Sequence, residues 1–159
     1  MEENIEMHGG FKIEARDAKT NELLWVKEYK NLLTSVSRLY RARMLLGTYT
    51  YGNNALKINY FALGTGTTTP SVNDTQLAAE AFRKQVTQRL ALGFDVQTTC
   101  SIGASEANFH IYEIGVFCGD SATSTANSGT LLSRVLVDID KNSNMVLNIV
   151  RTDTCLINV

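Results

Sequence analysis

The chain has 159 residues, 44% apolar and 19% charged, enough hydrophobic surface for one folded core and too little charge for a disordered chain. Fifteen basic against sixteen acidic residues give a formal charge of -1, which disfavours a dedicated nucleic-acid binder. The longest apolar stretches, at 23–26 and 60–63, fall far short of the roughly 20 residues of a membrane-crossing helix, and an opening with Glu2, Glu3 and Glu6 does not read as a secretory signal.

Residues 1–10 read as a flexible N-terminal segment and residues 11–159 as one β-sandwich domain. Phe11, Ile13 and Ala15 alternate with charged residues, the period of a half-buried strand. A polar turn at 18–21 then leads to LLWVKEY at 23–29, so the two form a hairpin with Trp25 as the largest core anchor. From Thr34 to Leu46 the period changes: Val36, Leu39, Tyr40 and Met44 recur at helical spacing, Thr34 or Ser35 can cap the start and Gly47 the end. Arg38, Arg41 and Arg43 then form a solvated helix face rather than a phosphate patch.

INYFALGTG at 58–66 runs a strand into a glycine- and threonine-rich surface loop, residues 64–74, after which Asn73 or Asp74 caps a short second helix reaching Glu80. Lys84 to Leu92 reads as one imperfect strand ending at Gly93. Phe94, Val96, Thr98, Cys100 and Ile102 share one face of the next, which puts Cys100 in the core. Phe109 to Cys118 is a further strand, and DSATSTANSG at 120–129 offers no large side chain, the pattern of an exposed, mobile loop. Leu131, Ser133, Val135, Val137 and Ile139 alternate, and a polar turn at 141–144 leads to Met145, Leu147 and Ile149, read as a hairpin. Cys155, Ile157 and Val159 carry the alternation to the last residue. About nine short strands and one substantial helix give a mainly β chain: an antiparallel, jelly-roll-like β-sandwich with one amphipathic helix and a short second one, a partly open barrel sharing the same local signature.

Chemistry finds little purchase. Gly64 and Gly66 lack the following Lys-Ser/Thr of a P-loop and the third glycine of a dinucleotide fold, and Pro70 interrupts the segment. His8, His110 and the scattered Cys100, Cys118 and Cys155 have no metal-ligand spacing, and the cysteines read as buried thiols of a reducing compartment. His110 is a hydrogen-bonded sheet residue. Glu80 and Arg83 can form an ion pair or present charges to a neighbouring subunit, the plain reading being a solvent-exposed pair, whereas Glu113, set among Ile111, Tyr112, Ile114 and Val116, needs a partner unless that strand face is wet, and a cross-strand Arg134 or Arg83 would supply one. No catalytic, cofactor-binding or metal residue is assigned, no cofactor is called for, and the chain reads as a non-enzyme.

The succession Asn31-Leu32, amphipathic helix, INYFALGTG, Pro70, Asn73-Asp74-Thr75, Leu77, Glu80 and Arg83, followed by IYEIGVF at 111–117 and GTLLSR at 129–134, resembles small tailed-bacteriophage virion structural proteins of the tail-collar fibre, neck and baseplate-associated type. The likeness runs from Asn31 to the C-terminus. It implies a non-enzymatic virion component, assembled in the bacterial cytoplasm, whose partners are copies of itself and other virion proteins, meeting through strand edges and the loop at 64–74. No membrane or specific nucleic acid enters that reading. Without repeats or heptads the chain suits a compact module rather than a shaft. A capsid decoration protein, or a sandwich whose 120–129 loop or its neighbours contact a host-surface glycan with little aromatic support beyond Tyr49 and Tyr51, are the alternatives.

Overall fold

Alternation along the chain is realised as two antiparallel sheets in the computed structural model, which describes residues 7–30, 32–45 and 56–155. The elements in order are β1 (Met7–Asp17), β2 (Leu23–Lys30), β3 (Leu32–Leu33), α1 (Ser35–Leu45), β4 (Ile58–Gly64), β5 (Glu80–Gln85), β6 (Gln88–Leu92), β7 (Asp95–Ile102), β8 (His110–Cys118), β9 (Thr130–Asp140) and β10 (Met145–Cys155). Sheet A has the order β2-β1-β10-β7-β6 and sheet B the order β3-β9-β8-β4-β5. β1 lies against β10 from Met7↔Cys155 to Asp17↔Met145, and β3 against β9. The first and last described strands thus pair along their whole length in sheet A, and the two sheets form the expected antiparallel sandwich.

Between the sheets, Phe11, Ile13, Ala15, Cys100, Ile102, Leu147 and Ile149 of sheet A meet Phe61, Leu63, Ile111, Ile114, Val116, Val135, Val137 and Ile139 of sheet B. Phe11 and Phe61 touch edge to face across the layers, ring centroids 6.1 Å apart. Sheet B is covered on its other face too. Leu77 and Ala122, from the loops after β4 and β8, pack on Ala62, Phe117 and Leu131 in a second apolar cluster. Two covered faces explain why the end of β4 and most of β8 are buried in runs rather than in alternation.

Several expectations are corrected. Residues 7–10, assigned to a flexible segment, belong to β1; residues 1–6 lie outside the described residues, as do Asn31, Gly47, Tyr49, Tyr51, Ile157 and Val159 and the side chains of Arg41, Arg43, Met44 and Cys155. The helix is present and Thr34 caps it, its Oγ1 accepting from the Ser37 amide, but Ser37 faces inward fully buried while Leu39 is exposed. Trp25 packs against the rim of the core, half-buried.

The second helix does not form. Asp74 Oδ2 is taken by the Ser71 amide and Arg134, and the amides of Ala78 and Ala79 bond Glu113, so the groups that would nucleate a helix are committed to tertiary partners. The strand expected from Lys84 to Leu92 is two strands in different sheets, which part where the Val86 amide bonds Asn59 and the Thr87 amide bonds Thr99. β9 and β10 are likewise no hairpin: the chain changes sheets at Lys141, whose buried ammonium donates to the Ala104 and Asn142 carbonyls and Asn108 Oδ1. That burial holds the Lys141 pKa below its usual value.

Candidate functional site

Glu113 sits on β8 with its side chain turned from the inter-sheet core towards the loop at 65–79, and it is completely buried. Its Oε1 accepts from the amides of Gly66, at 3.1 Å, and Ala79, at 2.7 Å. Oε2 accepts from the Ala78 amide at 3.0 Å and from Arg134 Nε at 2.7 Å. A carboxylate offers about four lone-pair sites, and all are used. The glycine loop therefore does cradle an anion with backbone N–H groups, but the anion is the protein's own side chain.

Arg134, on β9 opposite Gly115, completes the arrangement by donating to Asp74 Oδ2 at 2.9 Å and to the Thr68 carbonyl at 2.8 Å. Burial works against its charge, yet the carboxylates of Asp74 and Glu113 outweigh it and hold the guanidinium pKa above its ordinary value. Gly64 and Gly66 are required by space rather than by backbone angle. A Cβ on Gly64 would lie 2.5 Å from the Ala79 carbonyl oxygen, and one on Gly66 2.5 Å from Ala78 Cβ.

A second arginine secures the neighbouring loop. Arg83 on β5 grips Glu80 through both carboxylate oxygens, at 2.7 and 3.0 Å, with each side chain at most 3% exposed. Its Nη1 donates to the carbonyls of Thr123 and Ser128 and to Ser128 Oγ, while the guanidinium lies 4.2 Å from the Phe117 ring centroid. Glu80 also accepts from the Asn127 amide, and Asn127 Oδ1 from the Leu77 amide, tying the two loops together. One expectation is corrected, since the Glu80–Arg83 pair is buried rather than solvated; the loop at 120–129 is largely exposed, as expected, and gains an anchor in a side chain reaching in from β5.

The remaining candidates stay apart. His110 Nε2 lies 2.6 Å from Asp138 Oδ1 and stacks on Tyr112, and among the described residues no hydroxyl or thiol bonds its ring, so the pair lacks a nucleophile. Cys100 is fully buried, which pushes its thiol up to about 12. No cluster of three or more metal-ligating side chains occurs among the described residues. Arg151, not singled out by sequence, is buried where the sheets meet; it pairs with Asp153 at 2.7 Å and donates to Ser133 of the opposite sheet. Its signal was positional, since it follows Leu147 and Ile149 on the inward face.

No family model, curated protein or solved structure matches the chain.

What the geometry offers is a densely hydrogen-bonded loop layer over sheet B and exposed apolar side chains along the margins of sheet A. Leu23, Leu24 and Val26 on β2 are exposed, as are Leu90, Leu92, Phe94 and Val96 on the β6–β7 hairpin. Both sets of exposed apolar side chains lie at the two margins of sheet A, on its edge strands β2 and β6 and the adjoining hairpin.

Proposed function

We propose that this chain is a non-enzymatic structural subunit of a tailed-bacteriophage virion, built into the tail, collar, neck or baseplate region by repeated contacts with its own copies and other virion proteins. The observation that carries the assembly reading is the pair of apolar margins on sheet A. The virion setting rests on the motif order from Asn31 to Arg134. Glu113, the carboxylate that stood out in the sequence, is sealed from solvent and saturated, which favours a loop-pinning role over acid–base work. Loops held rigid before contact lose little entropy on docking, which suits a subunit repeated many times in one particle.

The test is the mass of the purified chain by light scattering, together with its incorporation into phage particles. A discrete oligomer or a fixed position in particle density is expected. A strict monomer without affinity for any virion component refutes the proposal.

A further inference from the structure

The four sheet edges are not equivalent. β2 carries Lys27, Glu28 and Lys30, and its ladder with β1 is broken by an irregularity at Ala15/Arg16. β3 is two residues long. β5 bears Arg83 and Lys84, the first engaged with the 119–129 loop and the second with Glu106 at 2.5 Å. Charge, bulges, short length and inward-pointing charged residues are the devices that keep edges from pairing, and β6 carries only the last. On β6 all five residues, Gln88 to Leu92, are exposed, and the single charge, Arg89, is turned inward to the Ile58 carbonyl and Asn59 Oδ1.

Pairing with β7 sets Gln88, Leu90 and Leu92 on one face of β6 and Arg89 and Ala91 on the other. Leu90 and Leu92 are 42% and 53% exposed, and Phe94, beside the left-handed Gly93 at the hairpin tip, is 80% exposed. The backbone groups of β6 turned away from β7 meet no other strand among the described residues.

We infer that β6 pairs antiparallel with β6 of a second copy across a two-fold axis, so that two A sheets become one continuous sheet. This rests on the assembly reading above and names its contact. Strand direction alternates across sheet A, so β2 and β6 run the same way; joining copies head to tail would need a parallel ladder against the charged β2, whereas a two-fold gives an antiparallel one. A register centred on Leu90 sets Leu90 against Leu90, Leu92 against Gln88 and Ala91 against Arg89. No like charges then oppose each other, while a register centred one residue earlier would face the two Arg89 side chains. Leu90 and Leu92 lie on one face of this edge and Val96, opposite Ala91 on β7, on the other, so the two-fold brings the leucines together and leaves Val96 one strand in from the contact.

Sedimentation velocity on the full chain across the micromolar range tests this. A dimer, or an assembly with an even number of copies, is expected, and Leu90→Lys, which opposes two ammonium groups across the axis, weakens that association at least tenfold with far-UV circular dichroism and melting unchanged. Leu92→Lys, which faces Gln88 rather than its own copy, gives a smaller loss, and Leu24→Lys on β2 leaves the mass as it was. Leu90→Cys forms an intermolecular disulfide on mild oxidation above the wild-type background. An assembly of unchanged mass in Leu90→Lys overturns the β6 contact and leaves the assembly reading standing. A wild-type monomer also overturns it, and if that monomer binds no virion protein the assembly reading falls as well.

Discussion

Glu113→Gln isolates the anion cradle, because it keeps the side-chain volume and removes only the charge and one acceptor. Whichever way the amide turns, its NH₂ confronts two donors: Gly66 and Ala79, or Ala78 and Arg134. Arg134 keeps Asp74, which is itself partly exposed, but loses its fully buried partner. Removing one side of a buried ion pair costs about 3–5 kcal/mol, a large share of the roughly 5–15 kcal/mol by which a domain is stable. At about 2–4 °C of melting temperature per kcal/mol for a chain of this size, the variant melts on the order of 10 °C below the wild type. Differential scanning calorimetry reads that loss, and hydrogen exchange locates it: the amides of Gly66, Ala78 and Ala79 lose protection before those of the inter-sheet core do. A fall of under about 2 °C, with those three amides still protected, would mean that the loop is held by something other than the carboxylate.

Three further outcomes follow from the same geometry. Gly66→Ala pushes a methyl group into Ala78 and parts the loop from Glu113, costing about 1–3 kcal/mol in urea titration, whereas Gly10→Ala, whose new Cβ meets its nearest atom at 3.4 Å, has a smaller effect. Arg83→Met keeps the stem over Phe117 but drops every bond to the 119–129 loop, so limited proteolysis cuts that loop in the variant and spares it in the wild type. Cys100 has a folded pKa of about 12 against an ordinary 9.0, so above pH 9 the unfolded chain releases a proton that the folded chain keeps. Its contribution is full below pH 9 and declines by about 1.4 kcal/mol per pH unit towards pH 12; Cys100→Ala has a flatter alkaline stability profile, and equal slopes would contradict the assignment.

The sandwich was legible because period two survives wherever a strand has one covered face, as in Phe11, Ile13 and Ala15, and in Cys100 and Ile102. Glu113 was legible for the converse reason, a carboxylate among apolar neighbours having to find a cation, and Arg134 was one of the two arginines named for it. What failed was local reading where distant groups decide. Asp74 carries a helix-capping side chain, yet Arg134 lies 60 residues further on and claims it. The 120–129 segment has no anchor of its own, and Arg83 supplies one from 40 residues earlier. Lys141 resembles any turn lysine until the change of sheet buries it. Partners at that separation leave no periodicity, and a single sequence cannot pair them.

The uneven distribution of charge and grease bears on how the molecule is used. On sheet B the outward-facing groups are satisfied from within: Glu113 by backbone amides and Arg134, Arg83 by Glu80 and carbonyls, Phe117 and Leu131 by Leu77 and Ala122. The outer surface of that face presents hydroxyls such as Thr67, Thr69, Thr123 and Thr125. The margins of sheet A have the opposite character, with leucines, valines and Phe94 in water and, at β6, an edge without a charge on its leucine-bearing face. Had selection acted for an isolated soluble monomer alone, lysine or glutamate at positions 90 and 92 would improve solubility at no cost to the core, since neither side chain is buried. Their apolar character accords with the second strand inferred for β6. The Leu90→Lys variant therefore carries most weight, because it should harm association while leaving the fold intact.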